Sequence, residues 1–123
     1  MKEQSVLVFT EEEEEFVNLL IKIGMRRPVA NVLVFLANVE EATSREIERG
    51  TDLRQPEVSI AMNYMFERGW LKNRESKAMS KGRPVKIYTL AVPVQEIMTS
   101  IEKQKKDEAN NQLALVKKMR NYL

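Results

Sequence analysis

Leu53-Arg54-Gln55-Pro56-Glu57-Val58-Ser59-Ile60-Ala61-Met62-Asn63-Tyr64-Met65-Phe66-Glu67-Arg68-Gly69-Trp70-Leu71 is the stretch that decides the fold. Proline belongs in the first turn of a helix, where its missing amide would have no intrahelical partner, so Gln55-Pro56-Glu57 opens a helix that runs to about Arg68. Val58, Met62 and Met65 follow at spacings of four and three, which places them on one inward stripe. The outward set is Arg54, Gln55, Glu57, Ser59, Ile60, Asn63 and Tyr64, and Gly69 ends the helix. Beyond Gly69 the period changes from helix to strand.

On the C-terminal side, residues 70–75 read as a strand and 76–84 as a polar turn containing Gly82 and Pro84. Val85, Ile87 and Thr89 then alternate with Lys86, Tyr88 and Leu90 in a returning strand. Together these form a β-hairpin with a basic tip carrying Lys77, Lys81 and Arg83. On the N-terminal side a short helix begins after Thr43 or Ser44 and gives way to the turn Gly50-Thr51-Asp52-Leu53. Before it, Pro28 opens a helix to about Asn38 whose Val29, Val32, Leu33, Phe35, Leu36 and Val39 make it apolar on most sides, as a central core helix must be.

Thr10 followed by Glu11 to Glu15 predicts a further helix start, since a threonine hydroxyl caps free amides and acidic residues complement the helix dipole. Phe16, Leu19, Leu20 and Ile23 supply its apolar spacing and Gly24 its stop. Ser5 to Phe9 fits either a short strand or an arm across a partner. At the other end Pro93 breaks the strand and starts a last helix from Val94 to near Tyr122. Ile97, Met98 and Ile101 form its first apolar patch; Leu113, Leu115, Val116, Met119 and Tyr122 form its second. Between them, 102–112 holds no apolar residue except Ala109, so this helix is expected to bury its second patch on a partner.

The expected fold is mainly α with a β-hairpin wing, divided into a domain of residues 1–92 and a C-terminal dimerisation helix, 93–123. Such an arrangement suits a duplex. A helix that enters the major groove does so by its N-terminal end. There Gln and Asn can pair with adenine edges and Glu can accept from the cytosine amine. The basic tip at 76–84 can lie on phosphate or reach into a minor groove. Expected DNA contacts are Ser44, Arg45, Arg54, Gln55, Glu57, Ser59, Asn63, Lys77, Lys81 and Arg83. Some polar and aromatic residues here also have a structural reading: Lys81 and Arg83 can simply keep a hairpin soluble, Tyr88 can either contact a phosphate or close the base of the wing, and Trp70 is a core anchor. Expected dimer contacts are Ile101, Leu113, Leu115, Val116, Met119 and Tyr122.

Composition narrows the chemistry. The chain has 123 residues, no Cys and no His, which excludes disulfides, thiolate nucleophiles, Ser-His-Asp triads and the usual zinc, iron and copper sites. Gly24, Gly50, Gly69 and Gly82 match no phosphate-loop spacing, so neither enzyme activity nor a cofactor is expected. The scattered methionines read as core filler rather than soft-metal ligands. A net charge of +2 divides unevenly: −4 over 1–42, +4 over 43–88 and +2 over 89–123. A local excess matters more than the total, because exposed charges more than about 8 Å apart are largely screened. No apolar run reaches the roughly 20 residues of a membrane span, and no signal peptide is recognisable, so a cytoplasmic protein without membrane association is expected.

Four stretches, Ala42-Thr43-Ser44-Arg45-Glu46-Ile47, Leu53 to Ser59, Phe66-Glu67-Arg68-Gly69-Trp70-Leu71 and Gly82-Arg83-Pro84-Val85-Lys86-Ile87-Tyr88, occur in this order with these gaps. Together they resemble the prokaryotic winged helix-turn-helix transcriptional regulators, closest to archaeal proteins of the TrmB, MarR and ArsR kinds, over residues 28–92. The resemblance implies a homodimer that binds double-stranded DNA, with two recognition helices in successive major grooves and wings beside them. Three departures matter. Ile60 and Ala61 stand where relatives often carry a basic residue; metal ligands of the ArsR type are absent; the sugar-binding domain of TrmB-like regulators is absent. A small-molecule effector would have to enter the dimer crevice, and no residue marks such a site. The alternative function is a winged-helix protein-protein interaction module of the transcription machinery, since neutral Ile60 and Ala61 suit a protein partner as well as thymine methyl groups.

Overall fold

The computed structural model describes residues 9–76 and 84–123. Four helices come first: α1 (Glu11–Lys22), α2 (Arg27–Asn38), α3 (Ser44–Thr51) and α4 (Gln55–Glu67). A two-stranded antiparallel hairpin follows, β1 (Leu71–Ser76) and β2 (Val85–Leu90), and then a 27-residue helix, α5 (Val94–Arg120). The chain divides into two compact units at Val92 and Pro93, and α5 makes up the second.

Two of the helix starts are built by the same local device. Thr10 Oγ1 accepts from the Glu13 amide at 3.1 Å while the Thr10 amide donates to Glu13 Oε1 at 2.9 Å. Thr43 and Glu46 repeat the exchange at 3.2 and 2.9 Å. Each reciprocal pair satisfies two amides that a helix N-terminus otherwise leaves without partners. Gly69 ends α4 with a φ of 75°, a left-handed conformation that a side chain disfavours, and lets the Trp70 amide return to the Met65 carbonyl at 2.9 Å.

The core of the first unit gathers around α2. Val29, Ala30, Val32, Leu33, Val34 and Leu36 are buried, and α2 packs against α1, α3 and α4. From α4 come Val58, Ala61, Met62 and Met65 at i, i+3, i+4 and i+7. Ala61 is therefore a core residue, 0% exposed, and not part of an outward neutral patch with Ile60. Trp70 is buried and meets the Tyr64 ring edge-on at 6.0 Å.

Three further expectations are corrected. In α1 the buried stripe is Val17 and Leu20, while Leu19 and Ile23 stand 52% and 42% exposed. Residues 16, 17, 19, 20, 21 and 23 are all apolar, more than one helical face can hold, so spacing alone could not choose the inward face. Gly50 and Thr51 belong to α3, and the turn begins at Asp52 with a φ of 58°. The Thr51 hydroxyl donates to the Ile47 carbonyl at 2.6 Å, which carries a threonine through the last turn without an unpaired polar group. The last helix stops at Arg120, two residues short of its expected reach.

In the hairpin Leu71 faces Leu90, Asn73 faces Tyr88 and Glu75 faces Lys86. The segment before α3 joins this sheet at a single point. Ala42 and Tyr88 exchange both backbone hydrogen bonds, at 3.0 and 2.8 Å. Along α5, Ile97 is buried and the polar middle is laced by Lys103–Asp107, Lys105–Glu108 and Lys106–Glu102 ion pairs at 3.4, 3.3 and 3.5 Å. No helix among the described residues is long and apolar enough to cross a membrane.

Candidate nucleic-acid interface

Burial of one stripe of α4 decides what its other side can do. With 58, 61, 62 and 65 turned inward, the helical period places Pro56, Ile60, Asn63 and Glu67 along the opposite, outward line. Gln55 and Ser59 flank that line on one side, where Gln55 Nε2 donates to Ser59 Oγ at 3.2 Å. Glu57 lies on the other flank and accepts from the Arg54 amide at 3.0 Å, so this carboxylate also serves as the cap of α4. Arg54, Gln55, Glu57 and Asn63 are exposed and Ser59 is half-buried. At the start of α3, Arg45 is exposed and Ser44 half-buried.

The structure therefore brings Arg54, Gln55, Glu57, Ser59 and Asn63 together on α4. Lys77, Lys81 and Arg83 lie outside the described residues. The hairpin strands add three basic residues that are not among the expected DNA contacts, Lys72, Arg74 and Lys86. The pleat puts Lys72 and Arg74 on one face of the hairpin and Lys86 on the other. Arg74 reaches across to Glu41, 2.8 Å away, in an ion pair whose members are both about half exposed. The Thr89 hydroxyl donates to the Glu40 carbonyl at 2.8 Å. With the Ala42–Tyr88 exchange, these bonds fasten the hairpin to the segment that leads into α3. The Tyr88 ring lies edge-on to Phe66 at 6.2 Å, which gives this tyrosine a packing role at the base of the wing. Arg68, at the end of α4, stacks over Tyr64 with its guanidinium carbon 3.5 Å from the ring centroid.

Helix-turn-helix α3–α4, followed directly by an antiparallel hairpin fastened beside it, fixes the architecture. It is a winged helix-turn-helix fold. No family model matches the sequence, and no curated protein does. Among solved structures, a possible transcriptional regulator from Methanosarcina mazei Go1 is similar at a TM-score of 0.58 and 15% identity, over 89% of this chain and 94% of that one. The transcriptional regulator PA4135 is similar at a TM-score of 0.52 and 18% identity, over 82% and 73%. At these identities the likeness is one of fold, including the long C-terminal helix of the winged-helix regulator folds.

Proposed function

We propose that this protein is a sequence-specific, double-stranded-DNA-binding transcriptional regulator, of the archaeal TrmB, MarR and ArsR kind, that acts as a cytoplasmic homodimer and is not an enzyme. The observation that carries the reading is the exposed polar N-terminal half of α4 in a winged fold, with Gln55, Glu57 and Asn63 free of the core. In this role α4 lies in the major groove, Ser44 and Arg45 of α3 and Arg54 meet the backbone, and Lys77, Lys81 and Arg83 of the wing lie on phosphate or in the minor groove. The names of the two similar structures support it. Residues 93–123 serve as the dimerisation helix of a DNA-binding domain spanning 1–92. A small-molecule effector has no marked site.

A specific observation favours one rival. The outward line Pro56, Ile60, Asn63, Glu67 carries no cation, as a protein-binding winged helix would allow. Fluorescence anisotropy of a labelled duplex, titrated at about 50 and 200 mM salt, separates the two. Phosphate contacts make affinity fall steeply between these salts, whereas a protein-interaction module binds no duplex at either.

A further inference from the structure

Ile60 is 54% exposed in the middle of α4, on the outward line between Pro56 and Asn63. Its neighbours Val58, Ala61 and Met62 are all buried, so the exposure belongs to this position and not to a loosely packed helix. A β-branched side chain in a helix has essentially one χ1 rotamer and presents its methyl groups in a fixed direction. In the major groove the apolar feature that a base pair displays is the C5-methyl group of thymine. One helical turn on, Asn63 is exposed and able to pair with the N6 and N7 edge of adenine. The outward line has no arginine or lysine to pair with guanine O6 and N7.

We propose that Ile60 is a specificity-determining residue that packs on a thymine methyl group, beside an adenine read by Asn63, so that each half-site has an A·T step at the centre of the α4 footprint. The proposal rests on the regulator reading. Burying a methyl group is worth about fourfold in affinity at each half-site, so about fifteenfold for a dimer on two.

The test starts from duplexes enriched from a randomised library by the full chain. Each thymine is then replaced by deoxyuridine, which removes the methyl group and leaves the pairing intact. One deoxyuridine in a single half-site is expected to weaken binding about fourfold, and one in each half-site about fifteenfold; Ile60→Ala is expected to abolish the difference while keeping the salt dependence and the circular dichroism spectrum of the parent. Enriched duplexes bound equally well with thymine and deoxyuridine, or an Ile60→Ala variant that still distinguishes them, overturn the role of Ile60 and leave the regulator reading in place. Failure to bind any duplex at about 50 mM salt overturns both.

Discussion

Gly50 and Phe35 meet so closely that a Cβ added at position 50 would stand 2.1 Å from Phe35 Cε1. This glycine sits inside α3, where alanine would ordinarily add about 1 kcal/mol of helix stability. The contact reverses the sign. The clash falls on a ring carbon, so Phe35 must swing away or α3 must back off α2, at a typical overpacking cost of about 1–3 kcal/mol. Gly50→Ala is expected to lower stability in urea denaturation. In a Phe35→Leu background the same substitution should cost clearly less, and equal costs in the two backgrounds would show that the ring is not the obstacle.

The threonine of the second capping exchange makes a local prediction. Thr43→Ala removes the acceptor of the Glu46 amide and is expected to cost about 1 kcal/mol, whereas Thr43→Ser keeps it and should stay near the parent value. For a domain of this size 1 kcal/mol corresponds to about 4–8 °C in Tm. Thermal unfolding followed by circular dichroism checks both variants.

These two positions also show what was legible in the sequence. A cap is a contact between residues three apart, so Thr10 with the glutamates behind it announces α1 and a start after Thr43 or Ser44 announces α3, while the reciprocal bonds to Glu13 and Glu46 come from the structure. The switch from helical to alternating period after Gly69 is equally local, and it placed the hairpin. Gly50 reads as a helix breaker until Phe35 of another helix is seen beside it. The Ala42–Tyr88 bridge joins single residues far apart in the chain, too short a pairing to leave a period. In α1 an excess of apolar residues hid the inward face. The α4 residues Gln55, Glu57 and Asn63 were legible as exposed because 58, 62 and 65 fix the inward stripe, and the same stripe assigns Ala61 to the core once its i+3 position is counted.

The ion pair between Arg74 and Glu41 is short, yet both side chains are about half exposed. Exposed pairs are typically worth less than about 1 kcal/mol and weaken with salt. Arg74→Ala is therefore expected to shift Tm only slightly, with the shift shrinking further at 1 M salt. The Ala42–Tyr88 backbone exchange remains to hold the wing. A large loss of stability that persists at high salt would assign the stem of Arg74 a packing role instead.

The wing makes a prediction about DNA rather than stability. If Lys81 and Arg83 lie on phosphate, replacing both by alanine removes about two phosphate contacts per protomer, and for a dimer the slope of log affinity against log salt becomes shallower by about 4. Affinity should fall by a similar factor for every duplex sequence. An unchanged slope removes these two residues from the phosphate contacts.

The end of α5 makes the strongest prediction about assembly. Leu115, Met119 and Tyr122 recur at i, i+4 and i+7, with Leu115 and Met119 56% and 60% exposed. An aspartate at an already exposed position costs the monomer little. On a partner's apolar surface, however, the same carboxylate is buried without a counter-charge, at a cost of several kcal/mol. Leu115→Asp combined with Met119→Asp is therefore expected to halve the sedimenting mass at micromolar concentration while leaving the helical content unchanged. Asn110→Asp lies on the opposite side of the helix from Met119 and should leave the mass as it was. The monomeric double variant should also bind duplex DNA more weakly, since one recognition helix then reaches one half-site alone. An unchanged mass in the double variant would place the dimer contact elsewhere, and the exposed Leu19 and Ile23 of α1 would be the next positions to substitute.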